Sequence, residues 1–157
     1  MIRFSLLVIL AGCASSTQWK LDSIATGVEA FDSMRLLYED STSPLRFEIV
    51  RLETGIEAFL SLTRYKFSGL ENILVQFEIE GVRGEVTLPL LSGKMRIRLP
   101  EELTKRFIKA LQEGREVVMI VDGSEQHLDP EQFAKKYEKL EGAPPMFQTL
   151  FKGIFDL

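Results

Sequence analysis

Few residues in this chain could carry chemistry, and the setting of each narrows its use. Cysteine occurs once, at Cys13, behind Leu10-Ala11-Gly12 and an apolar run from Phe4 to Ala11 broken only by Ser5. With no second cysteine, Cys13 cannot close an intrachain disulfide, and a thiolate metal site is excluded. Histidine also occurs once, at His127. A catalytic base needs a nucleophile and an orienting group placed with it. Ser124 is near in sequence, but it lies in a Gly123-Ser124 turn rather than at a strand-to-helix elbow. His127 therefore reads as a residue of a hairpin strand. A lone histidine without thiolate is too small a donor set for zinc or copper. Asp129 is placed to cap a helix rather than to act as an acid. Gly81-Val82-Arg83-Gly84 is followed by neither Lys-Ser nor Lys-Thr and opens no helix, so it is not a phosphate loop. These residues assign no catalytic set, no metal and no cofactor, and the chain reads as a protein that is not an enzyme.

Two groups could bind rather than react. Lys94, Arg96 and Arg98 alternate with Met95, Ile97 and Leu99, which puts three cations on one strand face. Lys105, Arg106 and Lys109 could extend the row. Such a row can dock on an anionic membrane or a glycan; the reading preferred over it is a solvated strand face whose charge protects an edge. The second group is the segment from Met146 to Phe155. Its apolar residues recur at i, i+1, i+4, i+5, i+8 and i+9, a helical stripe that includes Phe147, Leu150, Phe151 and Phe155. Three uses stay open for these four residues: packing on their own domain, entering a groove on a partner, or lying on a membrane surface. Lys152 is the only cation on the polar face, which is poor for the last use.

The first residues must position Cys13 for its chemistry. Arg3, a short apolar run and the small residues Ala11 and Gly12 form a secretory signal. The run is too short to cross a bilayer, which takes about 20 apolar residues. Leu10-Ala11-Gly12-Cys13 resembles the lipobox of bacterial lipoproteins. That resemblance implies diacylglyceryl transfer to the Cys13 sulfur, cleavage before Cys13 and acylation of the new amino terminus, so that lipid on Cys13 holds the protein to a membrane. By resemblance to enterobacterial sorting, Ala14 in place of Asp implies the outer membrane, with the domain facing the periplasm. The chain then divides into a leader (1–12), an acylated cysteine with a short tether (13–18), a β-rich domain (19–142) and a Pro break with an amphipathic tail (143–157). The tether from Ala14 to Gln18 is five residues. At no more than about 3.3–3.6 Å per residue, Trp19 lies within roughly 20 Å of the acylated end.

Loss of the 12-residue leader from 157 residues leaves 145, enough for one domain with a real core. A composition of 45% hydrophobic and 27% charged residues is that of an ordinary globular protein. The net charge is −4 and becomes about −5 without Arg3, which argues against a nucleic-acid partner.

The elements follow from the patterning. Trp19 to Ile24 alternates apolar and polar residues, as does Phe31 to Tyr38, and Glu39 to Pro44 is a turn cluster. Leu45–Ile49 and Ile56–Tyr65 form a hairpin about Glu53-Thr54-Gly55. The echo of Thr26–Phe31 in Thr54–Phe59 could mark two related hairpins. Asn72–Glu80 and Glu85–Leu91 pair across a turn bracketed by Gly81 and Gly84, with Pro89 marking an edge or strand end. Met95, Ile97 and Leu99 face inward. Pro100-Glu101-Glu102 opens a helix with Leu103, Phe107, Ala110 and Leu111 on one stripe, stopped by Gly114. Arg115–Val121 and Ser124–Leu128 form a hairpin about Asp122-Gly123. Asp129 as cap and Gln132 as the closing residue of a capping box begin a second helix with Phe133, Tyr137 and Leu140 inward, ended by Gly142. The fold class is mainly β: an antiparallel β-sandwich with two late α-helices and a short amphipathic C-terminal segment.

From Val86 to Leu140 the order strand, strand, Leu-Pro, helix, Gly, strand, hairpin, Leu-Asp-Pro, helix resembles the end of the invasion-associated locus B family of periplasmic β-sandwich proteins, notably at Phe107-Ile108-Lys109-Ala110-Leu111-Gln112-Glu113-Gly114. A periplasmic accessory family of type VI secretion loci is similar, and there too a Trp opens the domain. The locus B family carries paired cysteines that this chain lacks, so neither a disulfide nor any residue role carries over. The resemblance implies a non-enzymatic envelope domain. The expected function is a structural or interaction component of an envelope assembly with a protein partner. The alternative is a lipid- or glycan-binding periplasmic module, and a hydrolase built around His127 has the least support.

Overall fold

Among the described residues the period-2 patterning becomes nine strands, and the 3.6-period stretches after Pro100 and Asp129 become two helices. A computed structural model describes residues 19–24, 33–52 and 54–143. In chain order they form β1 (Trp19–Ile24), β2 (Ser33–Glu39), β3 (Leu45–Leu52), β4 (Gly55–Leu62), β5 (Asn72–Ile79), β6 (Val82–Pro89), β7 (Arg96–Arg98), α1 (Glu101–Gln112), β8 (Val117–Val121), β9 (Ser124–Leu128) and α2 (Phe133–Glu141). One sheet has the order β1-β2-β3-β4-β7 and the other β6-β5-β8-β9. Every strand pairing is antiparallel. Two antiparallel sheets and two late helices enclose one core, the sandwich-like arrangement that the sequence predicts. The echo segment 26–31, the leader, the tether and the tail after Ala143 lie outside the described residues.

The core is organised by aromatic rings. Trp19, on the edge strand β1, is almost wholly buried. Its ring centroid lies 4.7 Å from Tyr38, 4.7 Å from Phe133 and 6.2 Å from Phe47, all edge-to-face. The series continues from Phe47 to Phe107 on α1 (6.4 Å) and from Phe107 to Phe77 on β5 (5.5 Å). One run of rings thus crosses from the first sheet through α1 to the second. Such pairs contribute about 0.5–1.5 kcal/mol each beyond the area they bury.

Trp19 is also bonded. Its indole Nε1–H donates to the Asp129 carbonyl at 2.6 Å, and the Asp129 N–H donates to the Tyr38 hydroxyl at 3.1 Å. Lys136 Nζ on α2 donates to the Trp19 carbonyl. Both backbone groups of Asp129 are therefore held by side chains of the first sheet. This explains a departure from the sequence pattern. Asp129 does not cap α2; its Oδ1 accepts from the Glu131 N–H at 2.8 Å in a local turn, and the helix starts at Phe133 after Gln132 in a left-handed conformation (φ 63°). No capping box forms.

Three smaller expectations also shift. The β5–β6 turn is the two-residue Glu80-Gly81, both with positive φ, and Gly84 lies inside β6 opposite Phe77. A Cβ at Gly84 would sit 2.6 Å from Cε2 of the Phe77 ring and closer still to Cζ, so glycine is required by the ring that covers it. Met95 is exposed, because the chain does not enter β7 until Arg96. Pro100 occupies the N-cap position of α1 rather than its first turn, with Glu101 and Glu102 next.

Two stability predictions follow from this core. Trp19→Phe keeps an aromatic ring but leaves the Asp129 carbonyl without its donor, and should cost about 1–3 kcal/mol in urea unfolding. A loss below about 0.5 kcal/mol would contradict the bond's role. Gly84→Ala should cost about 1–3 kcal/mol by overpacking. Combining it with Phe77→Leu should recover part of that loss, and strictly additive losses would show that the ring is not the obstacle.

Candidate functional surfaces

His127 lies on β9, its side chain about half exposed. Nδ1 is 3.0 Å from Glu116 Oε1 and Nε2 is 2.6 Å from Glu125 Oε1. A neutral imidazole has one N–H, so donating to two carboxylates requires the imidazolium. The hydrogen bond with Glu116 raises the His127 pKa most, Glu125 adds to it, and desolvation opposes both. Below its raised pKa the ring is a cation held between Glu116 and Glu125, with both nitrogens donating. Glu116 and Glu125, which the sequence reading did not single out, are legible once the register is known. Glu125 is two residues from His127 on the same strand face, and Glu116 is diagonal to it across the Val118↔His127 pair. Asp129, as shown above, is held by its backbone.

Arg96 and Arg98 are not free cations. Arg96 lies 3.2 Å from Glu48 with its guanidinium over the Phe59 ring at 3.7 Å, and Arg98 lies 2.6 Å from Glu57. Glu48 is buried and also faces Arg35 at 3.6 Å. These cations neutralise acids of β3 and β4, which the pairing of β7 with β4 brings alongside. Lys94 sits apart in the β6–β7 loop with φ 55°. The helix cations are likewise engaged: Lys105 with Glu101 at 2.7 Å, Lys109 with Glu113 at 3.9 Å, and Arg106 over the Phe77 ring at 5.4 Å. The structure does not bring Lys94, Arg96 and Arg98 together as one unpaired row.

A cavity of about 540 Å³ opens where β4, α1 and α2 meet, lined in part by Ile56, Leu99, Thr104, Ile108 and Tyr137. Thr104 is buried, and its Oγ1 has no hydrogen-bond partner among the described residues. Among those residues no group of three or more His, Cys, Asp or Glu could hold a metal ion, and no helix is long and apolar enough to cross a membrane. Cys13, Phe147, Leu150, Phe151 and Phe155 lie outside the described residues.

No family model, no curated protein and no solved structure matches the chain.

The His127 pair titrates with a definite sign. A histidine pKa raised by folding adds stability that is fully present below the ordinary value of about 6.5 and is lost as pH rises through the folded value. Because the groups are half exposed, the loss should be only a few tenths of a kcal/mol. NMR titration should place His127 above 6.5, and Glu116→Gln should lower it. An unshifted His127 would contradict the bridge.

Proposed function

We propose that the chain is a membrane-anchored bacterial lipoprotein whose β-rich periplasmic domain serves an envelope assembly through binding rather than catalysis. The observation that carries this reading is Leu10-Ala11-Gly12-Cys13 behind Arg3 and a short apolar run, with the only cysteine at the acylation position. The setting of Trp19 supports it. Trp19, the first described residue, lies six residues after Cys13, and its side chain is buried in the core. Two or more acyl chains hold a protein stably on a bilayer where one does not, at about 0.8 kcal/mol per buried CH₂. In this reading the membrane is the outer one, and the domain faces the periplasm. The tail residues Phe147, Leu150, Phe151 and Phe155 are the proposed contact with a protein partner. A second reading, a binding module for a small lipid or glycan, draws on the cavity between β4 and the helices, whose lining includes Thr104.

Intact-mass analysis of the protein from bacterial membranes tests the main reading. The expected product starts at Cys13, carries a thioether-linked diacylglycerol and an amide-linked acyl chain, and sediments with membranes. Cys13→Ala should release the chain from the membrane fraction. An unmodified Cys13 in a membrane-free product would overturn the assignment.

A further inference from the structure

The tether leaves the domain at one particular end. By register Trp19 faces Tyr38, Tyr38 faces Phe47 and Phe47 faces Leu60, so β1 starts where β2 ends, β3 starts and β4 ends. Four connections meet there, joined by hydrogen bonds. Thr63 N–H donates to the Pro44 carbonyl at 3.1 Å, tying the β4–β5 loop to the β2–β3 turn. Phe67 N–H donates to the Lys94 carbonyl and Leu90 N–H to the Glu71 carbonyl, each at 2.8 Å, stitching the β4–β5 loop to the β6–β7 loop. Ser68 N–H donates to Asp122 Oδ2 at 2.7 Å, adding the β8–β9 turn.

This end carries exposed apolar side chains that the core does not use. Leu70 is 81% and Tyr65 68% exposed on the β4–β5 loop, and Leu91 and Met95, 37% and 39% exposed, lie on the β6–β7 loop stitched to it. Arg64 and Lys66 flank Tyr65, and Lys94 precedes Met95. None of these three cations takes part in an ion pair among the described residues. Of the acids at this end, Glu39 is paired by Lys20 and Arg46. Asp40 and Asp122 accept hydrogen bonds from Thr42 and Ser68 without an ion pair, and with the exposed Glu71 they are the acids that face these cations. Exposed tyrosine, leucine and methionine with Lys and Arg next to them in sequence suit an anionic lipid interface, where amphipathic rings sit at headgroup level and cations meet lipid phosphates.

We infer that the loop end bearing Tyr65, Leu70, Leu91 and Met95, with Arg64, Lys66 and Lys94, is a docking surface for the anionic bilayer to which Cys13 is attached. The inference rests on lipid at Cys13, and length decides for the bilayer over a more distant occupant. The tether reaches at most roughly 20 Å, whereas a domain of this size is roughly 35–40 Å across. The loop end therefore stays beside the lipid, and the opposite end cannot swing round to replace it. A short tether also holds the patch at an effective concentration of about millimolar, so weak loop–lipid affinity suffices.

The test uses the full mature lipoprotein reconstituted into vesicles of phosphatidylethanolamine and phosphatidylglycerol. Because the native thiol is acylated, Ser92→Cys in the β6–β7 loop gives a unique dye site, with Val82→Cys beside the Glu80-Gly81 turn as the comparison. Spin-labelled phospholipid should quench the dye at position 92 at least threefold more than at 82. That excess should shrink in 0.5 M salt and disappear in Tyr65→Asp/Leu70→Asp, whose altered side chains are exposed and outside the core. Equal quenching at both sites would overturn the docking surface, as would a dye at position 92 that stays in water because a protein covers it. Mass analysis of the same sample reports Cys13 separately. If Cys13 is unacylated, the lipoprotein reading fails by itself, and the Cys13→Ala/Ser92→Cys protein, in which position 92 is again the one thiol, tests the surface on added vesicles: a salt-sensitive blue shift supports it, and no shift overturns it.

Discussion

The burial of Trp19 at the start of β1 is the constraint on which the rest of this structure depends. An edge strand of six residues has one neighbour and would fray readily by itself. Here its first side chain fills the core, bonds the Asp129 carbonyl and packs on rings from β2, β3 and α2. Fixing Trp19, the first described residue, sets the place at which the preceding chain meets the domain. In the proposed function, that place orients the domain.

Charge is spent inside the fold more than displayed on it. Glu48 is buried between Arg35 and Arg96, Glu57 takes Arg98, and His127 is held by two glutamates. Removing one partner of a buried pair is costly because the other charge is left without compensation. Arg35, Arg96 and Glu48 are thus read as structural. Exposed cations outside these pairs, such as Arg64 and Lys66, are the ones free to meet an external surface.

Much of the fold was legible because the decisive information is local. Alternation marks β5, with Ile73, Val75, Phe77 and Ile79 all buried, and Asp122-Gly123 makes the positive-φ turn its composition requires. The errors fall where distant residues decide. Asp129 carries the local signature of a helix cap, but Trp19 and Tyr38, about a hundred residues earlier, claim its backbone. Gly84 resembles a turn glycine until Phe77 is placed across from it. The Lys94, Arg96 and Arg98 row was readable as a pattern, but its partners Glu48 and Glu57 lie on other strands. The loop end was illegible for the same reason: Tyr65, Leu70, Leu91 and Met95 come from two connections that only tertiary hydrogen bonds join.

The measurement that tests the central claim most directly is residue-resolved amide hydrogen exchange of the mature chain. If Trp19 locks β1 onto the sandwich, the amides of Leu21 and Asp129 exchange nearly as slowly as those of Phe47 on β3 and Val75 on β5. If they exchange at the rate of a frayed terminus while β3 and β5 stay protected, β1 is not locked. The fixed exit of the tether, and the orientation built on it, would then be wrong.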